Sequence, residues 1–291
     1  MSDIRDRAIQ LYDAFTHEHR DRRALLRQMA ALTGSVAAAE FLIAGIAASP
    51  AAASITDPND PALVTSKGSY PIGPGKDMTG YFAAPLGGDH LGAVIVVHEN
   101  RGLTPHIEDI ARRVALAGFS AVAPDFLTDQ GGTPADENAA RDLIAKLDYD
   151  AIISEAVATI GWMKGRPRGN GKVGIIGFCW GGGLVNRVAV AAGEALAAGV
   201  AYYGPAPDPA EAVKVYAAML LHYAGKDARV NATGGPWTDA LKAAGKDVEA
   251  YVYDGVDHAF NNDTSAERYN EAAAKLAWER TIAFLRAHLD K

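Results

Sequence analysis

Short unbroken apolar runs alternate with stretches of helical period along most of this chain. Residues 93–98 (AVIVVH) show no polar alternation, the reading of a strand buried on both faces of a parallel sheet. Residues 120–123, 172–177, 200–203 and 219–223 read as further short strands, and 248–253 alternates as a strand with one wetter face. Residues 64–70 and 78–84 predict two strands around a Gly/Pro turn. Between them lie helical patterns at 105–118, at 136–165 with a break near 148–150, at 181–192, at 236–245 from Pro236 to a Gly stop, and at 265–289. Strands alternating with helices predict an α/β fold, a mostly parallel central sheet with helices on both faces and right-handed crossovers. Ligands in such sheets bind at the carboxyl ends of the strands.

Residues 1–55 carry a different pattern. Ile4, Ala8, Leu11, Tyr12 and Phe15 recur at helical spacing and predict an amphipathic helix. Arg22-Arg23 then precede an apolar run over 29–48 and the small residues Ala51-Ala52-Ala53, the outline of a twin-arginine export signal. Glu40 argues against that outline, and the run is too rich in Ala, Gly and Ser for a membrane span. The first expectation is a retained helical arm that packs on its own domain or on a second subunit as a homodimer contact. An export signal is the alternative. The stretch 56–61 reads as a linker, so the catalytic domain is assigned to 56–291.

Composition narrows the function. The 291 residues carry a net charge of −7, which lacks the basic signature of nucleic-acid binding. The single cysteine forms no internal disulfide and no cysteine cluster for a metal, so neither cofactor nor metal is expected. An unpaired reactive thiol fits a reducing compartment, hence a cytoplasmic expectation, with the periplasm following if the leader is an export signal.

That cysteine sits in Gly177-Phe178-Cys179-Trp180-Gly181-Gly182, between a strand and a helix. A lone cysteine in an apolar stretch is by itself a small buried hydrophobe. The pattern G-x-C-x-G on a strand-to-helix turn changes that reading, because it is the nucleophile elbow with Cys in place of Ser. Asp227 follows the strand at 219–223, and His258 follows the strand at 248–253. The chain order nucleophile, acid, histidine is that of the α/β-hydrolases. An imidazole activates the thiol, and the acid fixes the imidazole's tautomer. Asp208, Asp254 and Asp257 are weaker candidates for the acid. Glu99, at the end of the strand at 93–97, puts a carboxylate toward the nucleophile. Arg101 is placed to neutralise Glu99 or to hold an anionic substrate.

The segments 97–102 (VHENRG), 123–125 (APD), 177–182 (GFCWGG), 225–227 (GKD) and the His258 segment together resemble the dienelactone hydrolase (carboxymethylenebutenolidase) family over roughly residues 64–289. The resemblance implies an α/β-hydrolase fold with an N-terminal extension and a Cys179–His258–Asp227 triad. It implies that Glu99 contacts the resting thiol and takes up its proton, and that the backbone N–H groups of Asn100 and Trp180 form the oxyanion hole. Arg101, Trp180 and Phe260 are the candidate substrate contacts. The family's arginine shortly after the catalytic histidine is replaced here by Asn261-Asn262, so that anion clamp is expected to be missing. The expected activity is hydrolysis of a small ester or lactone without a cofactor. A non-catalytic binding protein on the same fold is the competing expectation, and a redox-sensing thiol is a third, weakened by the absence of a resolving cysteine.

Overall fold

A computed structural model describes residues 2–17, 21–47 and 55–290. Eight strands form one sheet: β1 (Leu63–Gly73), β2 (Lys76–Pro85), β3 (Leu91–Val97), β4 (Ser120–Pro124), β5 (Gly169–Phe178), β6 (Ala198–Tyr202), β7 (Ala218–Ala224) and β8 (Val248–Tyr253). Their spatial order is β1-β2-β4-β3-β5-β6-β7-β8. The β1–β2 and β2–β4 pairings are antiparallel, and β4-β3-β5-β6-β7-β8 pair in parallel.

The unbroken apolar strands face two cores at once. Along β3, Val94 and Val96 point to one side, while Ala93, Ile95 and Val97 point to the other. The first side is covered by α4 (Pro105–Leu116) and α9 (Glu271–Leu289), through residues such as Ile110 and Phe284. The second is covered by α6 (Tyr149–Lys164), α7 (Trp180–Ala191) and α8 (Ala228–Ala243), through Ile160, Val185 and Trp237. A shorter helix, α5 (Glu137–Ile144), precedes α6, so the expected break falls between them.

Two helix boundaries differ from the sequence reading. The helix expected at 236–245 starts at Ala228 and runs through Pro236. Asp227 caps its first turn, and Gly234 packs against the Tyr223 ring so closely that a Cβ there would overlap it. Tertiary packing thus overrides the break that Gly234, Gly235 and Pro236 signal locally. The closing helix starts at Glu271 rather than at 265. Asn270 caps it, accepting the Ala273 N–H at 3.0 Å, and Ser265 instead donates its hydroxyl to the Ile46 carbonyl at 2.6 Å.

The N-terminal region forms three helices, α1 (Ser2–His17), α2 (Arg22–Thr33) and α3 (Val36–Ile46). The apolar run expected from residue 29 is not one helix: Gly34 (φ 85°) ends α2, and Ser35 caps α3 through the Ala38 N–H at 3.1 Å. The two helices bend by 110° at this break, and among the described residues no single helix is long and apolar enough to cross a membrane. Ala8, Ile9, Tyr12, Phe15, Leu25, Met29, Ala39 and Ile46 make a small core of their own. The stretch 48–54, which holds the small residues of the expected signal, lies outside the described residues.

Candidate active site

Strand β5 delivers Cys179 to the carboxyl edge of the sheet. Cys179 has φ 56° and ψ −113°, a backbone region that side-chain-bearing residues rarely enter. Its N–H donates to the Tyr202 carbonyl at 3.0 Å, and its carbonyl accepts the Gly183 N–H at 3.0 Å. The flanking glycines are required by contact: a Cβ on Gly177 would overlap the Gly181 carbonyl, and one on Gly181 would lie 2.5 Å from the His98 carbonyl. Cys179 is buried, 5% exposed, with its sulfur directed into the site.

Asp227 uses its two oxygens separately. Oδ1 accepts the Val230 N–H at 3.1 Å and caps α8, while Oδ2 meets His258 Nδ1 at 2.5 Å. Burial would push the Asp227 carboxyl up, but the positive His258 and the Val230 N–H outweigh it and hold it below the usual carboxylate range. Burial would likewise lower His258, yet Asp227 and the Cys179 sulfur outweigh it and raise the imidazole to about 10. Among the described residues His258 Nε2 is buried with no oxygen or nitrogen partner. The triad residues expected from the sequence therefore meet in space.

The loop after β3 is set by His98. Its Nδ1–H donates to the Glu99 carbonyl at 2.7 Å, and its Nε2 accepts the Phe126 N–H at 3.3 Å. Burial lowers the His98 pKa, consistent with that neutral tautomer. The loop carries Asn100, and Trp180 opens α7, so its N–H belongs to a first turn without an intrahelical partner. The Trp180 ring stacks on His98 at 5.3 Å. Asp125 of the 123–125 motif braces this region by accepting the Thr133 N–H at 2.7 Å.

Three expected residues find other partners. Glu99 accepts the Asn262 Nδ2–H at 2.7 Å. Arg101 pairs with Glu137 and the Tyr12 hydroxyl rather than with Glu99. Phe260 lines neither cavity at Cys179: it is fully buried, packed on the rings of Tyr203 and Tyr253.

The residues that sequence reasoning missed come largely from the arm. His17, the last residue of α1, puts Nε2 4.0 Å from Cys179 Sγ and sets its ring edge-on to His258 at 4.8 Å. Burial, then the neighbouring positive charges of His258 and Arg229, hold His17 well below the ordinary imidazole pKa. Arg268 lies beyond Asn261-Asn262 yet reaches the site, where its charge is met by Asp13 of α1 at 3.3 Å. Tyr12, Thr16, His17, Glu99, Asn100, Arg101, Cys179, His258, Ala259 and Arg268 enclose a void of about 20 Å³. Beside it, a cavity of about 280 Å³ shares Cys179 and His17 and is walled by Trp180, Tyr149, Ile144 and Leu147, with Arg141 and Arg229 also on its lining.

A mostly parallel sheet with a strained strand-to-helix turn at Cys179 and a buried Asp–His pair beyond the next strands defines an α/β-hydrolase. The dienelactone hydrolase family model matches residues 78–289. Relatives named "Putative carboxymethylenebutenolidase" are 33% identical in Salmonella typhi (81% of this chain, 92% of the relative) and 31% identical in Saccharolobus solfataricus (67% and 88%). A solved Klebsiella pneumoniae chain titled "Putative Dienelactone Hydrolase" superposes with a TM-score of 0.68 at 33% identity, covering 76% of this chain and 98% of that one. The chain belongs to the dienelactone hydrolase family. It is accordingly an enzyme of the class that hydrolyses small esters and lactones.

Proposed function

We propose that Cys179 is the nucleophile of a two-step ester or lactone hydrolysis. The sulfur attacks the carbonyl carbon, and the Asn100 and Trp180 N–H groups hold the oxyanion. The carbon–oxygen bond breaks, His258 gives its proton to the departing alkoxide, and a thioester on Cys179 remains. A water then loses a proton to His258 and attacks the thioester, releasing the acid and restoring the sulfur. Asp227 keeps the imidazole oriented and stabilises its charged form. Glu99, anchored by Asn262, is assigned to take up the thiol proton when substrate binds. The observation that carries this reading is the placement of Cys179 on a strained elbow beside the His258–Asp227 pair, 2.5 Å apart.

The two cavities suit the two steps. The 280 Å³ cavity approaches the size of a small-ligand pocket and supplies the aromatic wall of Trp180 and Tyr149. The 20 Å³ void has room for one water beside His258 and Cys179. The arm supplies Tyr12, Thr16 and His17 to that void, so we assign it to the working enzyme. Mass spectrometry after brief exposure to p-nitrophenyl acetate tests the chemistry. An acetyl group on the Cys179 peptide of wild type, absent from Cys179→Ala, is expected. Turnover without acylation of Cys179 overturns the nucleophile assignment.

A further inference from the structure

We propose that His17, Cys179 and His258 form a binding site for a thiophilic divalent cation, zinc being the occupant the donor set fits, and that its binding silences the hydrolase. One ligand atom from each of the three side chains lies within 4.8 Å of the others. Tetrahedral zinc, with Zn–S near 2.3 Å and Zn–N near 2.0–2.1 Å, needs its ligand atoms about 3.3–3.6 Å apart. Closing the site therefore asks each side chain to move by less than about 1 Å.

Independent features support ligation rather than mere proximity. Among the described residues His258 Nε2 is buried with no oxygen or nitrogen partner and is turned to the Cys179 sulfur, while Nδ1 is committed to Asp227. A carboxylate on the far nitrogen is the arrangement that fixes the tautomer and strengthens a metal-binding histidine. The two arginines on the wall of the void are already met by carboxylates, Arg101 by Glu137 and Arg268 by Asp13. The void takes the ion, and the adjoining cavity has room for a water as the fourth ligand. The cavity that shares His17 and Cys179 supplies an entry path. One thiolate and two imidazoles favour zinc over magnesium or calcium, which take oxygen ligands.

Binding involves no redox step. Zinc takes the sulfur lone pair and the two imidazole lone pairs, and any protons on those atoms leave to solvent. The bound sulfur, its charge drawn to the metal, is then a much weaker nucleophile, and His258 has no free nitrogen to act as base. This silencing rests on the nucleophile reading above; the metal site itself does not. Two of the ligands are triad residues, and the third comes from outside the family-matched segment 78–289. Sequence reading gave no metal because the ligands lie at positions 17, 179 and 258, with no motif spacing.

Cobalt titration of the full-length protein tests the site without reference to activity. Wild type is expected to show a thiolate-to-cobalt charge-transfer band and intense visible bands of tetrahedral type, both displaced by zinc. Cys179→Ser should lose the charge-transfer band. Loss of an outer carboxylate typically weakens metal sites by 10–100-fold, so His17→Gln, which removes a direct ligand, should weaken cobalt binding by more than about 100-fold. His17→Cys should retain binding with a stronger charge-transfer band, which separates lost ligation from damaged packing. Wild type without a charge-transfer band, or His17→Gln with wild-type affinity and spectrum, overturns the proposal. In the esterase assay, zinc should inhibit wild type and a chelator should restore it. A Cys179 that is acylated yet shows no cobalt band sinks the metal site alone. A cobalt band in a protein never acylated at Cys179 sinks the nucleophile reading alone.

Discussion

His17 Nε2 lies 4.0 Å from Cys179 Sγ although 162 residues separate them in the chain. Helix α1 is therefore a wall of the candidate site, held there by charged contacts at several points. Arg5 meets Asp257 at 3.6 Å and Glu267 at 3.1 Å, Lys226 meets Asp6 at 3.2 Å, and Arg268 meets Asp13 at 3.3 Å. Asp257 is next to His258 in sequence, and Lys226 is next to Asp227.

The Arg268–Asp13 pair is the contact whose loss should be felt most. Arg268 is 7% exposed, and removing one partner of a buried pair costs about 3–5 kcal/mol. Asp13→Ala is expected near the lower end, about 3 kcal/mol, because Asp13 is partly exposed. Adding Arg268→Met should return part of that loss in a chemical denaturation cycle, since it removes the stranded charge. Strictly additive losses would contradict the pairing.

Asp227→Asn separates the residue's two tasks. Asparagine still caps α8, so the helix should stay formed, while loss of the buried charge pair with His258 should cost about 3–5 kcal/mol of stability. The imidazole loses the acceptor that fixes its tautomer, a change that can cost on the order of 10⁴ in turnover. A drop of this size with a preserved fold is expected in steady-state esterase assays. Activity within about tenfold of wild type would point to another acid.

The His258 shift gives stability a pH dependence of definite sign. Its folded pKa, about 10, lies above the ordinary imidazole value of 6.5. The folded state binds the proton more tightly, so the contribution is full below about 6.5 and is lost as the pH rises through about 10. Asp227 is shifted downward, so its contribution is present above the ordinary carboxylate range and lost as the pH falls through its lowered value. Thermal unfolding across pH 6.5–10 should show an alkaline decline that is flattened in His258→Gln. An identical decline in that variant would place its cause elsewhere.

His17 titrates in the opposite sense. Its folded pKa lies well below 6.5, so acidification below that value favours states in which α1 has left the site. Alkylation of Cys179 at pH 5.5 relative to pH 7, corrected for thiolate content, should therefore rise in wild type. Asp13, raised by burial, works the other way as it protonates. His17→Gln isolates the histidine: its corrected ratio should lie below that of wild type.

Gly181→Ala tests the tightness of the elbow. The added carbon would stand 2.5 Å from the His98 carbonyl and 2.8 Å from the Val97 carbonyl, both backbone atoms. Overpacking of this kind costs about 1–3 kcal/mol. The displaced segment precedes Asn100, so turnover should fall more than the stability loss suggests. Wild-type activity would show that the loop can move without consequence.

The sheet and the grouping of Cys179, Asp227 and His258 in space were legible because their signals are local. Unbroken apolar runs such as 93–97 mark parallel strands, and the glycines around Cys179 mark an elbow. The arm's amphipathic period gave α1, but no local pattern states which surface a helix covers. His17, Arg268 and the engagement of Arg101 by Glu137 were unreadable for that reason: each depends on how α1, α5 and the 261–270 segment pack against the site. Phe260 was misplaced because adjacency to His258 in sequence does not decide between facing substrate and facing the core.

The direction of α1 has a practical consequence for anyone preparing this enzyme. Its sixteen residues run from Ser2 to His17, and the end that meets Cys179 is the far one. At 1.5 Å per residue, a purification tag fused ahead of Ser2 begins roughly 22 Å from the sulfur. Such a fusion should be tolerated. A version lacking only residues 1–55 would keep all eight strands but leave Cys179 without the cover of α1, and its substrate range would describe a different enzyme.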